Sequence, residues 1–96
     1  MIHLKKDHEI AAMRLAGGVS STVLREVAGF VRPGISTLEI DQFAGKRISH
    51  YGGTSAFLGY RNYPCQICIS VNEEVVHGLA SERQVQSGDI VSLDVG

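Results

Sequence analysis

Residues 67–72 read Ile67-Cys68-Ile69-Ser70-Val71-Asn72, and residues 90–95 read Ile90-Val91-Ser92-Leu93-Asp94-Val95. Both alternate with a period of two, the spacing of a strand with one apolar face. In the first, Ile67, Ile69 and Val71 share a face, and Cys68, Ser70 and Asn72 share the other. In the second, Val91, Leu93 and Val95 oppose Ile90, Ser92 and Asp94. Asn72-Glu73-Glu74 reads as a turn, Val75-Val76 as a short return strand reaching His77-Gly78, and Ser87-Gly88-Asp89 as the last turn. The segment from Thr54 to Pro64 reads as a loop rich in Gly and Tyr.

Towards the N-terminus the period changes. Ile10, Met13, Leu15, Val19, Val23, Leu24, Val27, Phe30 and Val31 recur at steps of three and four, which lines one face of a helix. Gly17-Gly18 interrupts it at a cost of up to about 1 kcal/mol each relative to Ala, a cost that close helix–helix packing would justify. Pro33-Gly34 ends the helix, and Pro33 disfavours the α region at Arg32. Ser36-Thr37-Leu38-Glu39 is a capping-box pattern opening a second helix. Ile40, Phe43, Ala44, Arg47, Ile48 and Tyr51 continue that helix, and Gly52-Gly53 supplies its exit. Two helices followed by strands predict an α+β fold, with the helices packed on an antiparallel sheet.

The chain has 96 residues, room for one domain spanning 1–96. Its hydrophobic share of 44% and charged share of 20% are those of a globular protein. Nine Lys and Arg against ten Asp and Glu leave a net charge of -1, with no basic stripe for nucleic acid or an anionic membrane. No apolar run approaches the about 20 residues of a membrane span. Charges occupy the start of the chain where an export signal needs apolar residues. Two cysteines build no disulfide framework, and a reducing cytoplasmic location is expected. The stop at Gly96, at or inside a strand, leads us to expect an incomplete domain.

Several residues carry possible chemistry. Asp94 lies in an apolar strand, where a carboxylate is costly to bury unless paired or bound to metal. It reads either as a strand-end aspartate bonded to amides or an arginine, or as a metal ligand. His77 precedes Gly78, which leaves room for a sharp turn and a ligand, though an ordinary loop histidine fits as well. Phe57, Tyr60 and Tyr63 form an aromatic loop that either caps the core or walls an apolar pocket. His3, His8 and His50 read as solvated, His50 near the negative end of the second helix. Cys65-Gln66-Ile67-Cys68 is a C-x-x-C, but no second pair completes a zinc site and a strand, not a helix, follows it. Redox and zinc chemistry are therefore not expected there.

Read in order, Arg32-Pro33-Gly34-Ile35-Ser36-Thr37-Leu38-Glu39-Ile40-Asp41, Gly59-Tyr60, Tyr63-Pro64, Ile67 through Gly78 and Gly88 through Gly96 resemble the N-terminal half of a type I methionine aminopeptidase. The resemblance implies half of a pita-bread (creatinase/aminopeptidase) fold, and removal of the initiator methionine from nascent polypeptides in the cytoplasm, with the ribosome as a candidate place. It implies two divalent metal ions (Co, Mn, Fe or Zn). By position, Asp94 matches a metal-ligand aspartate, and His77 matches the catalytic histidine that hydrogen-bonds the substrate near the scissile amide. Phe57, Tyr60, Tyr63 and Cys68 match the substrate-binding pocket for the methionine side chain.

The chemistry suits those residue types. Aromatic rings and a soft sulfur suit a flexible thioether. Paired metals lower the pKa of a shared water and polarise a carbonyl, and hard carboxylates hold such ions. In the family another aspartate, a histidine and two glutamates complete the metal site, all beyond the equivalent of Gly96. The expectation is therefore an incomplete metal site and a 96-residue chain inactive alone. Leu79-Ala80 departs from the proline usual after this His-Gly in the family. A lone half also exposes a sheet face and a strand edge, for which self-association is expected. Two alternatives remain: a non-catalytic pita-bread-like protein-binding module, and a prolidase or aminopeptidase P-type peptidase.

Overall fold

The structure is a computed structural model that describes residues 4–59, 64–72 and 80–96. Among the described residues four elements follow in order: α1 (Asp7–Phe30), α2 (Thr37–His50), β1 (Cys68–Val71) and β2 (Val91–Asp94). The predicted turn residues Glu73 and Glu74 and the return strand at Val75-Val76 lie outside the described residues.

Local chemistry accounts for the ends of the helices. Asp7 and Glu9 place negative charge in the first turn of α1, where the helix dipole favours it. Val31 takes an extended conformation before Arg32-Pro33 and closes the helix. At α2 the Ser36 hydroxyl accepts from the Glu39 amide at 3.1 Å, the forward half of the predicted box. At its other end Gly53 N–H donates to Ile48 O and Gly52 N–H to Ser49 O, both at 3.0 Å, with Gly52 at φ 78°. That pair of bonds is a Schellman exit, which the left-handed Gly52 permits.

The strands pair antiparallel in the register Cys68↔Asp94, Ile69↔Leu93, Ser70↔Ser92 and Val71↔Val91. Directly opposed residues share a face. The Ile69, Val91 and Leu93 face meets the helices through a core of Val23, Val27, Ile35, Ile40, Ala44, Ile48, Ile67 and Val85. The Phe30 and Phe43 rings stack on its flank with centroids 4.2 Å apart. Residues 81–85 run back along the start of α2: Gly34 N–H donates to Val85 O and Val85 N–H to Ile35 O, both at 2.7 Å. The Thr37 hydroxyl adds a bond to Ser81 O at 3.1 Å.

The helices are also joined by an ion pair. Arg47 donates to Glu26 through Nε at 2.8 Å and through Nη2 at 3.0 Å, and the Tyr51 hydroxyl donates to Glu26 at 2.7 Å. These bonds, Arg47's first, hold the Glu26 carboxyl down at about 2 and push the Arg47 guanidinium up.

The Gly17-Gly18 pair corrects one expectation. A Cβ at either would meet nothing within 4 Å. Among the described residues the glycines serve no close helix–helix approach. The N-terminal half of α1 projects past the body, because α2 and the ribbon cover it only from Val19 onward. Met13 and Leu15, on the predicted apolar stripe, are 58% and 74% exposed.

Candidate functional site

The polar face of the ribbon carries Cys68, Ser70, Ser92 and Asp94, the set the alternation predicts. Cys68 opens β1 and Asp94 closes β2, so antiparallel pairing puts them opposite each other at one end of the ribbon. Opposed residues in such a ladder have Cβ atoms about 5 Å apart. Cys68 is buried, whereas the Asp94 side chain is exposed. Among the described residues Asp94 makes no ion pair and no side-chain hydrogen bond. The arginine partner or amide clamp that would explain it structurally is therefore not found there.

The aromatic loop is fastened to the same end. Ala56 N–H donates to Gly96 O at 3.0 Å, just past β2. The Ser55 hydroxyl donates to Gln66 O, just before β1, and accepts from the Phe57 and Leu58 amides at 3.1 and 3.3 Å. The Phe57 ring consequently lies against Gly96, where a Cβ would come within 3.2 Å of it. Phe57 thus lies against Gly96, past the end of the ribbon where Cys68 stands opposite Asp94. His77, Tyr60 and Tyr63 lie outside the described residues.

A carboxylate that the pattern reading did not single out fastens the chain leading into β1. Asp41 on α2 is 7% exposed and accepts from Gln66 N–H at 2.9 and 3.1 Å and from Ile67 N–H at 2.9 Å. Its only sequence signal was a polar residue directly after Ile40 on the apolar side of α2. Cys65, like Cys68, is buried, and no disulfide joins the two. His8 and His50 are exposed as expected.

The chemistry available to these side chains is recognition. A ring, a thiol and an open carboxylate suit an apolar chain ending in a polar head. Asp94 offers a hard oxygen donor, but among the described residues no group of three or more His, Cys, Asp or Glu converges. One carboxylate does not by itself fit a pair of metal ions. An apolar hollow of about 250 Å³ lies between Leu15, Val19 and Val23 of α1, Ile48 of α2, Tyr51 just past that helix, and Val95 and Gly96. It includes none of Phe57, Cys68 and Asp94. No helix among the described residues is long and apolar enough to cross a membrane.

Comparison with known proteins gives a consistent picture. The pattern of metallopeptidase family M24 matches residues 11–96. A methionine aminopeptidase of Clostridium perfringens is 43% identical over 96 residues, covering 100% of this chain and 39% of that protein. Methionine aminopeptidase 1 of Bacillus subtilis is 42% identical, with the same coverage. Among solved structures, methionine aminopeptidase from Rickettsia prowazekii superposes with a TM-score of 0.95 at 29% identity, over 99% of this chain and 38% of that one. The Thermotoga maritima enzyme gives 0.93 at 40% identity, over 99% and 39%. The chain therefore has the fold of the N-terminal part of these proteins and spans about 39% of the length of the curated relatives it matches.

Proposed function

The chain belongs to metallopeptidase family M24, and from that membership we propose that it forms the N-terminal part of a methionyl aminopeptidase, which removes methionine from the N-termini of nascent polypeptides in the cytoplasm. The observation that carries the reading is similarity to methionine aminopeptidases over the entire chain, at 43% and 42% identity. The placement of Phe57, Cys68 and Asp94 at one end of the ribbon supports it.

On this reading residues 1–96 form a partial domain. Phe57 and Cys68 wall the pocket for the methionine side chain, together with Tyr60 and Tyr63. A ring and a sulfur give a thioether dispersion contacts without demanding hydrogen bonds. His77 donates a hydrogen bond to the substrate near the scissile amide, where charge develops in the transition state. Asp94 is one metal ligand. Its exposure supports this role, since a carboxylate that is neither buried nor paired is open to a cation. A divalent ion pair would supply the hydrolytic nucleophile. Holding it takes more carboxylates and an imidazole than the described residues bring together, so the 96-residue chain alone is expected to be inactive.

The test is to express the reading frame extended past codon 96. The product should release methionine from a peptide whose second residue is small, in the presence of Mn²⁺ or Co²⁺, and the Asp94→Asn variant should not. A product that encodes no further carboxylate and histidine ligands, or that ignores such a peptide, contradicts the proposal.

A further inference from the structure

The main chain at Gln66, two residues before β1, is held on both sides by side chains from α2 and from the loop after it. Its N–H donates to the buried Asp41 carboxylate at 2.9 and 3.1 Å, and its carbonyl accepts from the Ser55 hydroxyl. The next amide, Ile67, also donates to Asp41, at 2.9 Å. One turn along α2 from Asp41, a Cβ on Gly45 would come within 2.9 Å of Gln66 Cγ. The absence of a side chain there lets Gln66 lie flat against the helix. Ser55 in turn carries the Phe57 and Leu58 amides. Cys68 follows Ile67 directly and stands opposite Asp94.

A buried carboxylate costs free energy unless hydrogen bonds satisfy it, and bonds to an ionised acceptor are the strong ones. Ser36 already caps α2, so Asp41 is not needed at the start of the helix. Its bonds go instead to two amides that precede β1 and lie outside the ladder. We infer that Asp41 is a positioning residue: acting through the Gln66 peptide, it sets Phe57 and Cys68 relative to each other and so fixes the width of the apolar pocket. This rests on the methionine-pocket reading above. Gly45 completes the seat by letting the Gln66 side chain pass, and Ser55 transmits the position to the aromatic loop.

The test uses isotope-labelled 96-residue chain and L-methioninamide as the probe. Amide exchange is expected to accelerate at Phe57 and Leu58, as well as at Gln66 and Ile67, by about tenfold or more in Asp41→Asn, the ratio expected when a hydrogen bond to a charged group is lost. Gly45→Ala, which displaces Gln66 without touching the carboxylate, should speed exchange at Phe57 and Leu58 too. Methioninamide should shift the Phe57 and Cys68 signals of the unmodified chain, and less so in both variants. Arg47→Ala, which breaks the remote ion pair, should leave the methioninamide shifts as they are. Unchanged exchange at Phe57 and Leu58 in folded Asp41→Asn overturns the positioning role, as does an equal loss of probe binding in Arg47→Ala. Absence of any methioninamide shift in the unmodified chain overturns the pocket itself, a separate failure.

Discussion

Asp94 and Asp41 are carboxylates of opposite circumstance. Asp41 is enclosed and its oxygens accept from two amides, whereas Asp94 is open and unpaired among the described residues. The contrast separates structural from chemical duty. Asp94→Ala should leave the thermal stability of the 96-residue chain within about 0.5 kcal/mol of the parent, as at other exposed sites without partners. Asp41→Ala should cost about 1–3 kcal/mol, because it strands buried N–H groups. Thermal unfolding of the two variants side by side measures both, and equal losses would contradict the division. Facing positions on the ribbon were legible in the sequence: alternation alone put Cys68 and Asp94 on the polar face. Asp41's role was not legible, because its partners are backbone amides at Gln66 and Ile67, and main-chain donors leave no mark in a pattern of side chains.

At the level of the elements, α2 is the best-specified piece. Both its stops were readable, Ser36 as the cap and Gly52-Gly53 as the exit, because capping chemistry is local. Ser36→Ala should destabilise by about 0.5–2 kcal/mol. The pairing of α2 with α1 was less readable, since Glu26 and Arg47 sit on ordinary polar faces and meet only in the fold. That pair imposes a pH dependence. The Glu26 carboxyl is lowered from 4.5 to about 2, chiefly by Arg47. A depressed carboxyl adds stability above its unfolded pKa and loses it as pH falls through the folded one. Glu26→Gln should therefore melt below the parent at neutral pH, and the gap should close as pH drops from 4.5 towards 2. Asp89, lowered by the Asn72 amide and then the Gln86 N–H, adds a loss of the same sign. A gap that persists undiminished in acid would show that the pair does not titrate as described.

The whole molecule is more extended than its length requires. Its radius of gyration is 14.6 Å, against about 13 Å for a compact domain of 100 residues. The excess follows from α1, whose N-terminal half leaves the body with Met13 and Leu15 uncovered. Helical periodicity announced that stripe correctly but is silent on what lies opposite it, so its exposure could not be read from spacing. With this stripe uncovered, sedimentation of the 96-residue chain should show self-association that grows with concentration. A single monomeric species at all concentrations would contradict that.

The central claim is that Asp94 is one arm of a metal site in a methionyl aminopeptidase. The most direct measurement is a crystal structure of the extended gene product grown with Mn²⁺. The account predicts an Asp94 carboxylate oxygen bonded to an ion, with Phe57 and Cys68 flanking the cavity beside it. An Asp94 side chain closed on a guanidinium, with the ions elsewhere, would contradict it.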